Sequence, residues 1–326
     1  MIAIIISEEK EPLQLVDVAK PEIGEGECLV RIKAAALNRR DQWIREGMYP
    51  GIRFGGILGS DGFGIVEEGS EEWVGKEVII NPNVDWGNNM DAQSSSYSVL
   101  GMPTDGTLAE YIKVPIHRLN PKPNHLNDEE AAALPLAGLT AYRAALKKGK
   151  ADAGKRVLIT GAGGGVSQFV ISFSLAIGAE TYVTSGVESK IKRCVESGVT
   201  AGFNYKDEHW VKQATQVGGF DAIIDSAGGN NVNNYLKLIR PGGRIVMYGS
   251  TTGYPEKVDT FRLFWSQAQI IGSTMGNDAE FGEMISFVEK NEIKPAIDGV
   301  FSYTNFLDAF NRFKEADHFG KIVIKF

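Results

Sequence analysis

Arg156-Val157-Leu158-Ile159-Thr160-Gly161-Ala162-Gly163-Gly164-Gly165-Val166-Ser167 is an apolar strand that enters a turn rich in glycine and leaves directly as a helix. Glycine lets the backbone approach a diphosphate without a Cβ in the way, and the unpaired N–H groups of the helix start point at its charge. In the G-x-G-x-x-G register the three positions are Ala162, Gly164 and Ser167. Ser167 is small enough for the close strand–helix contact that the third glycine serves. Tight strand–helix turns also carry glycine for steric reasons alone, so the surrounding chain has to decide.

Outward from this loop, strands and helices alternate. The helix covers 164–177, with Val166, Phe169, Val170, Phe173 and Ile177 on one face, and Gly178 stops it. A strand at 181–185, a helix at 189–197 and a strand at 220–225 follow. A further helix ends at Arg240-Pro241-Gly242-Gly243, before strands at 244–249 and 269–273. This order predicts an α/β domain, a doubly wound parallel sheet over 124–273 that binds a dinucleotide. Its contacts are expected at Ala162, Gly163, Gly164, Gly165 and Val166. NAD sites place an acid about 20 residues on, accepting from the ribose 2′-hydroxyl. Here Thr184-Ser185-Gly186-Val187 offers no acid until Glu188. Ser185, Gly186 and Lys190 together favour a 2′-phosphate, and so NADPH, although Lys190 alone also reads as a solvated helix residue.

The flanks differ. The first ~120 residues read as short strands (13–18, 27–36, 63–67 and 77–81) between glycine-rich turns, a distorted barrel rather than a layered sheet. Pro121-Lys122-Pro123 marks a boundary, and Asn127-Asp128-Glu129-Glu130 opens a helix. Helices at 278–291 and 303–315 and a strand at 320–325 end the chain. Its 326 residues suffice for two domains. Net charge is −7 with no basic block, which argues against nucleic acid or an anionic membrane as partner. Met1 to Ile6 is too short for a secretory signal and reads as a strand, and no stretch is long enough to cross a membrane. Cys28 and Cys194 sit in no metal or redox spacing and read as inert thiols. The expectation is a soluble cytoplasmic protein.

Several blocks resemble the medium-chain dehydrogenase/reductase superfamily, in particular its zinc-free, quinone oxidoreductase-like branch. They are Leu37-Asn38-Arg39-Arg40-Asp41, Leu58-Gly59-Ser60-Asp61-Gly62, Gly106-Thr107-Leu108-Ala109-Glu110-Tyr111 and Ala137-Gly138-Leu139-Thr140-Ala141-Tyr142. The glycine loop, 220–226, Pro241-Gly242-Gly243-Arg244-Ile245 and Phe319-Gly320-Lys321-Ile322-Val323 complete the set in the family's order. The resemblance implies a GroES-like catalytic domain from 1–123 and 274–326, a Rossmann domain inserted over 124–273, and an active site in the cleft between them. It also implies cofactor contacts at Thr140, Tyr205, Ser226, Gly249 and Lys321, though Tyr205 reads equally as plain core.

Departures from the family matter more. Zinc-dependent relatives bind the catalytic metal through cysteine, histidine, acid and cysteine positions, which here correspond to Asn38, Ser60, Asp61 and Leu136. One carboxylate cannot hold a tetrahedral zinc. The structural-zinc lobe corresponds to 86–96, which contains no cysteine, and the four histidines are scattered and read as surface or capping residues. Without a Lewis acid to hold an alkoxide, the expected acceptors are quinones and α,β-unsaturated carbonyls, which spread the added charge themselves. The resemblance points to Asn38, Asp41 and Tyr49 as catalytic residues. Asn38 either donates to the acceptor oxygen or organises its loop, Asp41 otherwise caps a helix, and Tyr49 either gives a proton or walls the pocket. An enoyl-thioester reductase and a non-catalytic NADPH-binding regulatory protein stay open as alternatives. Similar proteins pair the edge strands of their Rossmann sheets, so a homodimer through 269–273 is expected by analogy.

Overall fold

The computed structural model describes residues 1–8, 11–315 and 317–326. Glu9 and Lys10, in the charged run after the first strand, lie outside them. The chain begins with β1 (Ile2–Ile6), β2 (Leu13–Asp17), β3 (Glu27–Ala36), α1 (Arg39–Arg45), β4 (Asp61–Glu68) and β5 (Glu77–Ile80). Short strands β6 (Asn83–Val84), β7 (Ser98–Val99), β8 (Tyr111–Pro115) and β9 (Leu119–Pro121) precede α2 (Asp128–Ala133) and α3 (Pro135–Tyr142). Strands and helices then alternate: β10 (Arg156–Ile159), α4 (Gly165–Ala176), β11 (Glu180–Ser185), α5 (Glu188–Glu196), β12 (Ala201–Asn204) and α6 (Trp210–Thr215). β13 (Phe220–Asp225), α7 (Val232–Leu238), β14 (Ile239–Met247), α8 (Thr260–Trp265) and β15 (Gln269–Gly272) follow. The tail is α9 (Asp278–Lys290), β16 (Ile297–Ser302), α10 (Phe306–Lys314) and β17 (Lys321–Lys325).

The contacts divide the chain into one unit of Met1–Ala137 with Gly276–Phe326 and a second of Gly138–Met275. The first division falls inside α3, beyond the proline-rich stretch where the sequence placed it, because α2 packs on β3 and β4 of the first unit. Pro135 lacks an N–H and opens α3 just after α2 ends.

In the first unit the strand order is β16-β17-β3-β4-β5-β9, with β8 also on β3. β3 pairs β17, β4 and β8, all antiparallel. Most of its residues are buried, and its charged Glu27, Arg31 and Lys33 stay half-buried. Val30 and Ile32 of this strand join Ile4, Leu37, Leu58 and Phe310 in one buried apolar cluster. His318, expected near the surface, is buried, its ring stacked on Phe313 at 4.9 Å.

The second unit has the parallel order β12-β11-β10-β13-β14-β15, which reverses direction between β10 and β13. This is the doubly wound arrangement, with its ligand crevice at the carboxyl ends of the strands near the reversal. Val157, Leu158, Ile159, Ile223, Ile224 and Ile245 are fully buried, as strands covered on both faces require. Pro241-Gly242-Gly243 does not separate a helix from a strand: β14 already pairs β13 at Ile239, and its register shifts before Arg244. The left-handed Gly242 (φ 77°) accommodates that bulge. Among the described residues no helix is long and apolar enough to cross a membrane.

Candidate functional site

Strand register builds the centre of the first unit. β17 pairs β3 with Val323 opposite Ala36, and β3 pairs β4 with Ala36 opposite Asp61. The residues just beyond these pairs, Lys321 and Asn38, therefore meet Asp61 at one sheet end. Lys321 Nζ donates to Asn38 Oδ1 at 2.7 Å and to Asp61 Oδ2 at 2.9 Å. Asn38 Nδ2 donates to the same Asp61 oxygen at 2.9 Å, and the Leu136 N–H donates to Asp61 Oδ1 at 2.7 Å. The side chains of Lys321 and Asp61 are 3% and 0% exposed. Lys321, expected among the cofactor contacts, thus lies buried in an ion pair, because the register delivers it beside Asn38.

Asp41, in the first turn of α1, accepts from the Asn38 N–H at 2.7 Å, while its other oxygen is buried without a partner. Burial pushes its carboxyl up to about 6; Arg40, the Asn38 N–H and Lys321 pull against that rise and Asp61 adds to it. Both ends of the Asn38 amide are engaged inside the cluster, which is the loop-organising arrangement, and Asp41 caps the helix that Asn38 opens.

Arg40 was not singled out by sequence reasoning. Its buried guanidinium donates to Ser60 Oγ and the Leu100 carbonyl, both at 2.7 Å, and to the Met102 carbonyl at 3.1 Å. It also donates to the Tyr49 hydroxyl at 3.2 and 3.3 Å, with the guanidinium 4.9 Å from the ring centroid. The Tyr49 oxygen is an acceptor here, so its proton is left to give.

These side chains do not fit a zinc ion. Asn38 and Asp61 are occupied by an ammonium, Ser60 gives its proton to the Leu100 carbonyl, and Leu136 contributes only a backbone N–H. No thiolate or imidazole stands in that donor set, and no group of three or more His, Cys, Asp or Glu suited to a metal occurs among the described residues.

In the second unit, β10 runs into Gly161, which turns the chain in the left-handed region (φ 66°). The Ala162 N–H donates to the Thr184 carbonyl at 3.0 Å, and buried Ala162 packs the strand ends rather than facing outward. Gly164 is the N-cap of α4 and supplies no side-chain cap, so the first amides, at Gly165 and Val166, are placed to meet an anion. Gly163 lies between these turns. Ser167 donates to the Thr160 carbonyl at 2.9 Å and shares a hydrogen bond of 3.0 Å with the Tyr248 hydroxyl. Burial pushes the Tyr248 phenol up to about 12.

Buried Asp225, at the end of β13, ties the neighbouring strand ends together. It accepts from Thr160 Oγ1 at 2.7 Å, the Tyr235 hydroxyl at 2.8 Å and the Gly228 N–H at 2.7 Å. The Ser226 N–H donates to Thr160 Oγ1 at 3.1 Å. A Cβ on Gly249 would stand 2.7 Å from the Ser226 carbonyl oxygen, so only glycine allows this approach. Ser185 is buried at the end of β11 and accepts from the Val187 N–H at 3.1 Å. Lys190 is in the first turns of α5, Gly186 and Tyr205 leave adjacent strands, and Thr140 is buried on α3. The structure thus gathers Asn38, Asp41 and Lys321 at one centre with Tyr49 tethered through Arg40, and Gly161 to Val166, Ser185, Gly186, Tyr205, Ser226 and Gly249 along the carboxyl ends of the second sheet.

The chain matches the alcohol dehydrogenase GroES-like domain family over residues 24–124 and the zinc-binding dehydrogenase family over residues 165–290. It is 36% identical to the zinc-type alcohol dehydrogenase-like protein YogA of Leptosphaeria maculans, over 96% of this chain and 94% of that one. It is 28% identical to the acryloyl-coenzyme A reductase of Sulfurisphaera tokodaii, over the whole of both chains (100%). A solved NAD-dependent alcohol dehydrogenase superposes with a TM-score of 0.94 at 33% identity, covering 100% of each chain. A GroES-like unit and a parallel dinucleotide-type sheet, so matched, define an oxidoreductase. The chain belongs to the medium-chain dehydrogenase/reductase superfamily, the alcohol dehydrogenase-like proteins that use NAD(P).

Proposed function

We propose that this chain is a zinc-independent, NADPH-dependent oxidoreductase that reduces an activated acceptor, a quinone or an α,β-unsaturated carbonyl. The observation that carries this reading is the Lys321 ammonium held by Asn38 and Asp61, two of the positions that correspond to zinc ligands in metal-dependent relatives. Without a Lewis acid the developing alkoxide of a simple ketone loses its main charge stabiliser, whereas a quinone or enone disperses that charge as phenolate or enolate. The bound nicotinamide supplies hydride, and the protein's task is to place donor and acceptor.

The helix-start amides of Gly165 and Val166 would hold the diphosphate, with Gly163 and Gly164 giving it room. Ser185 would meet the adenosine ribose. Tyr49, its oxygen fixed by Arg40, has a proton to direct at an acceptor oxygen. The unpaired, buried thiols of Cys28 and Cys194 suit the reducing cytoplasm.

One observation favours a second reading, an enoyl-thioester reductase: the full-length match to an acryloyl-coenzyme A reductase. We also propose a homodimer. Among the described residues β15 pairs only β14, which leaves its outer edge open, and Phe261, Phe264 and Trp265 of the adjoining α8 are exposed. A second copy pairing the same edge would cover both.

The test is loss of NADPH absorbance with quinones, enones and enoyl thioesters, with and without a zinc chelator. Reduction of quinones or enones that survives the chelator is expected. Chelator-sensitive turnover would overturn zinc independence, preference for the thioesters would favour the second reading, and NADPH binding without turnover would leave a regulatory binding protein.

A further inference from the structure

The ends of β11 and β12 lie side by side, with Ser185 opposite Asn204, and the Tyr205 N–H donates to the Ser185 carbonyl at 3.2 Å. Ser185-Gly186 and Tyr205-Lys206 therefore leave the sheet together. The side chains of Tyr205 and Lys206 fold over Gly186: a Cβ there would stand 2.8 Å from Lys206 Cε and 2.8 Å from the Tyr205 hydroxyl. The Lys206 ammonium, one bond beyond Cε, is thus carried to the end of β11, where a doubly wound domain receives the adenosine ribose.

The acids around it are engaged elsewhere. Glu188 accepts from Asn204 Nδ2 at 2.6 Å, and Asn204 Oδ1 accepts from the Lys206 N–H at 3.0 Å. Asp207 accepts from the His209 N–H and from Gln213 Nε2, each at 2.8 Å. Lys206 forms no ion pair among the described residues. Asn204 thus engages Glu188, the acid that follows the end of β11 most closely in the sequence. An unmatched cation remains beside Ser185, whose Oγ accepts from Val187 and still has its proton to give.

From this arrangement we infer that Lys206 is the specificity-determining cation for the adenosine 2′-phosphate. It acts with Ser185, beside the Tyr205 hydroxyl over Gly186, while Asn204 supports the choice by engaging Glu188. The inference rests on the NADPH reading above and adds the residue that would enforce it. Sequence reasoning passed over Lys206 because only the pairing of β12 with β11 brings it back to Gly186.

The experiment is titration of wild-type, Lys206→Gln and Lys206→Arg proteins with NADPH and NADH, with competition by 2′,5′-ADP and 5′-AMP as probes without nicotinamide. Loss of a charge-assisted contact should weaken NADPH and 2′,5′-ADP about tenfold to a hundredfold in Lys206→Gln. NADH and 5′-AMP should stay within about twofold, and Lys206→Arg should keep the preference. A wild type that binds NADPH no tighter than NADH overturns both this inference and the NADPH reading. A wild type that prefers NADPH, with Lys206→Gln keeping that preference or weakening both cofactors equally, overturns the role of Lys206 and leaves the reading standing.

Discussion

Lys321 and Asp61 form an ion pair of 2.9 Å with both side chains enclosed, and their encounter depends on β3 lying between β17 and β4. Removing one member of such a pair strands a buried charge. Lys321→Met should cost about 3–5 kcal/mol of folding stability. Lys321→Met with Asp61→Leu should recover a large part of that loss, since no charge is then left unpaired. Denaturant unfolding of the single and double variants measures it. A loss below about 1 kcal/mol, with simple additivity, would show that the pair is not a closed unit.

Asp41 makes stability depend on pH. Its folded-state value, about 6, lies above that of an unfolded aspartate, so the native state holds the proton more tightly. The favourable contribution is full below the unfolded value of about 4 and is lost as pH rises through about 6. Asp41→Asn keeps an acceptor for the Asn38 N–H and removes the titration. Its stability should be flatter across this window, by up to about 3 kcal/mol relative to wild type. Parallel curves for the two proteins, followed by denaturant midpoint at several pH values, would remove Asp41 from the account.

Cofactor choice gives a third expectation. Ser185→Asp places a carboxylate at the end of β11, within the reach of Lys206 across Gly186. It should repel a 2′-phosphate and accept from a 2′-hydroxyl, lowering NADPH affinity at least tenfold and raising that for NADH. Equal changes in both dissociation constants would show that this strand end does not read the ribose.

The parallel sheet was legible because its signals are local: the apolar runs 157–159 and 222–224 and the glycines at 161–165 state their conformation within a few residues. The Lys321–Asn38–Asp61 centre was not, since Lys321 and Asn38 meet through strand register across almost the whole chain. The resemblance alone placed Lys321 among the cofactor contacts. Arg40 escaped notice for a related reason: Ser60, before β4, and Leu100 and Met102, in the turn after β7, claim its guanidinium from two distant segments. β12 contains Gly202 and only its Phe203 is buried, so no alternation marked it, and Lys206 went unplaced with it.

Substitution of Tyr49 measures how much acid catalysis the proposed reaction draws from it. Arg40 donates to its oxygen from two nitrogens and lies over its ring, so the hydroxyl is fixed in position and its proton is available. If proton delivery accompanied hydride transfer, Tyr49→Phe would lower kcat for enones about a hundredfold. A quinone would suffer less, because its reduced form is resonance-stabilised and takes its protons from water. The expected result is the smaller one, a drop under about tenfold for both acceptors, because positioning dominates where the acceptor stabilises its own charge. Arg40 retains Ser60 and three backbone carbonyls in that variant, so the fold should persist. Steady-state kinetics with one quinone and one enone, beside NADPH titration, separate the cases. A hundredfold loss confined to kcat with cofactor affinity intact would make Tyr49 the acid.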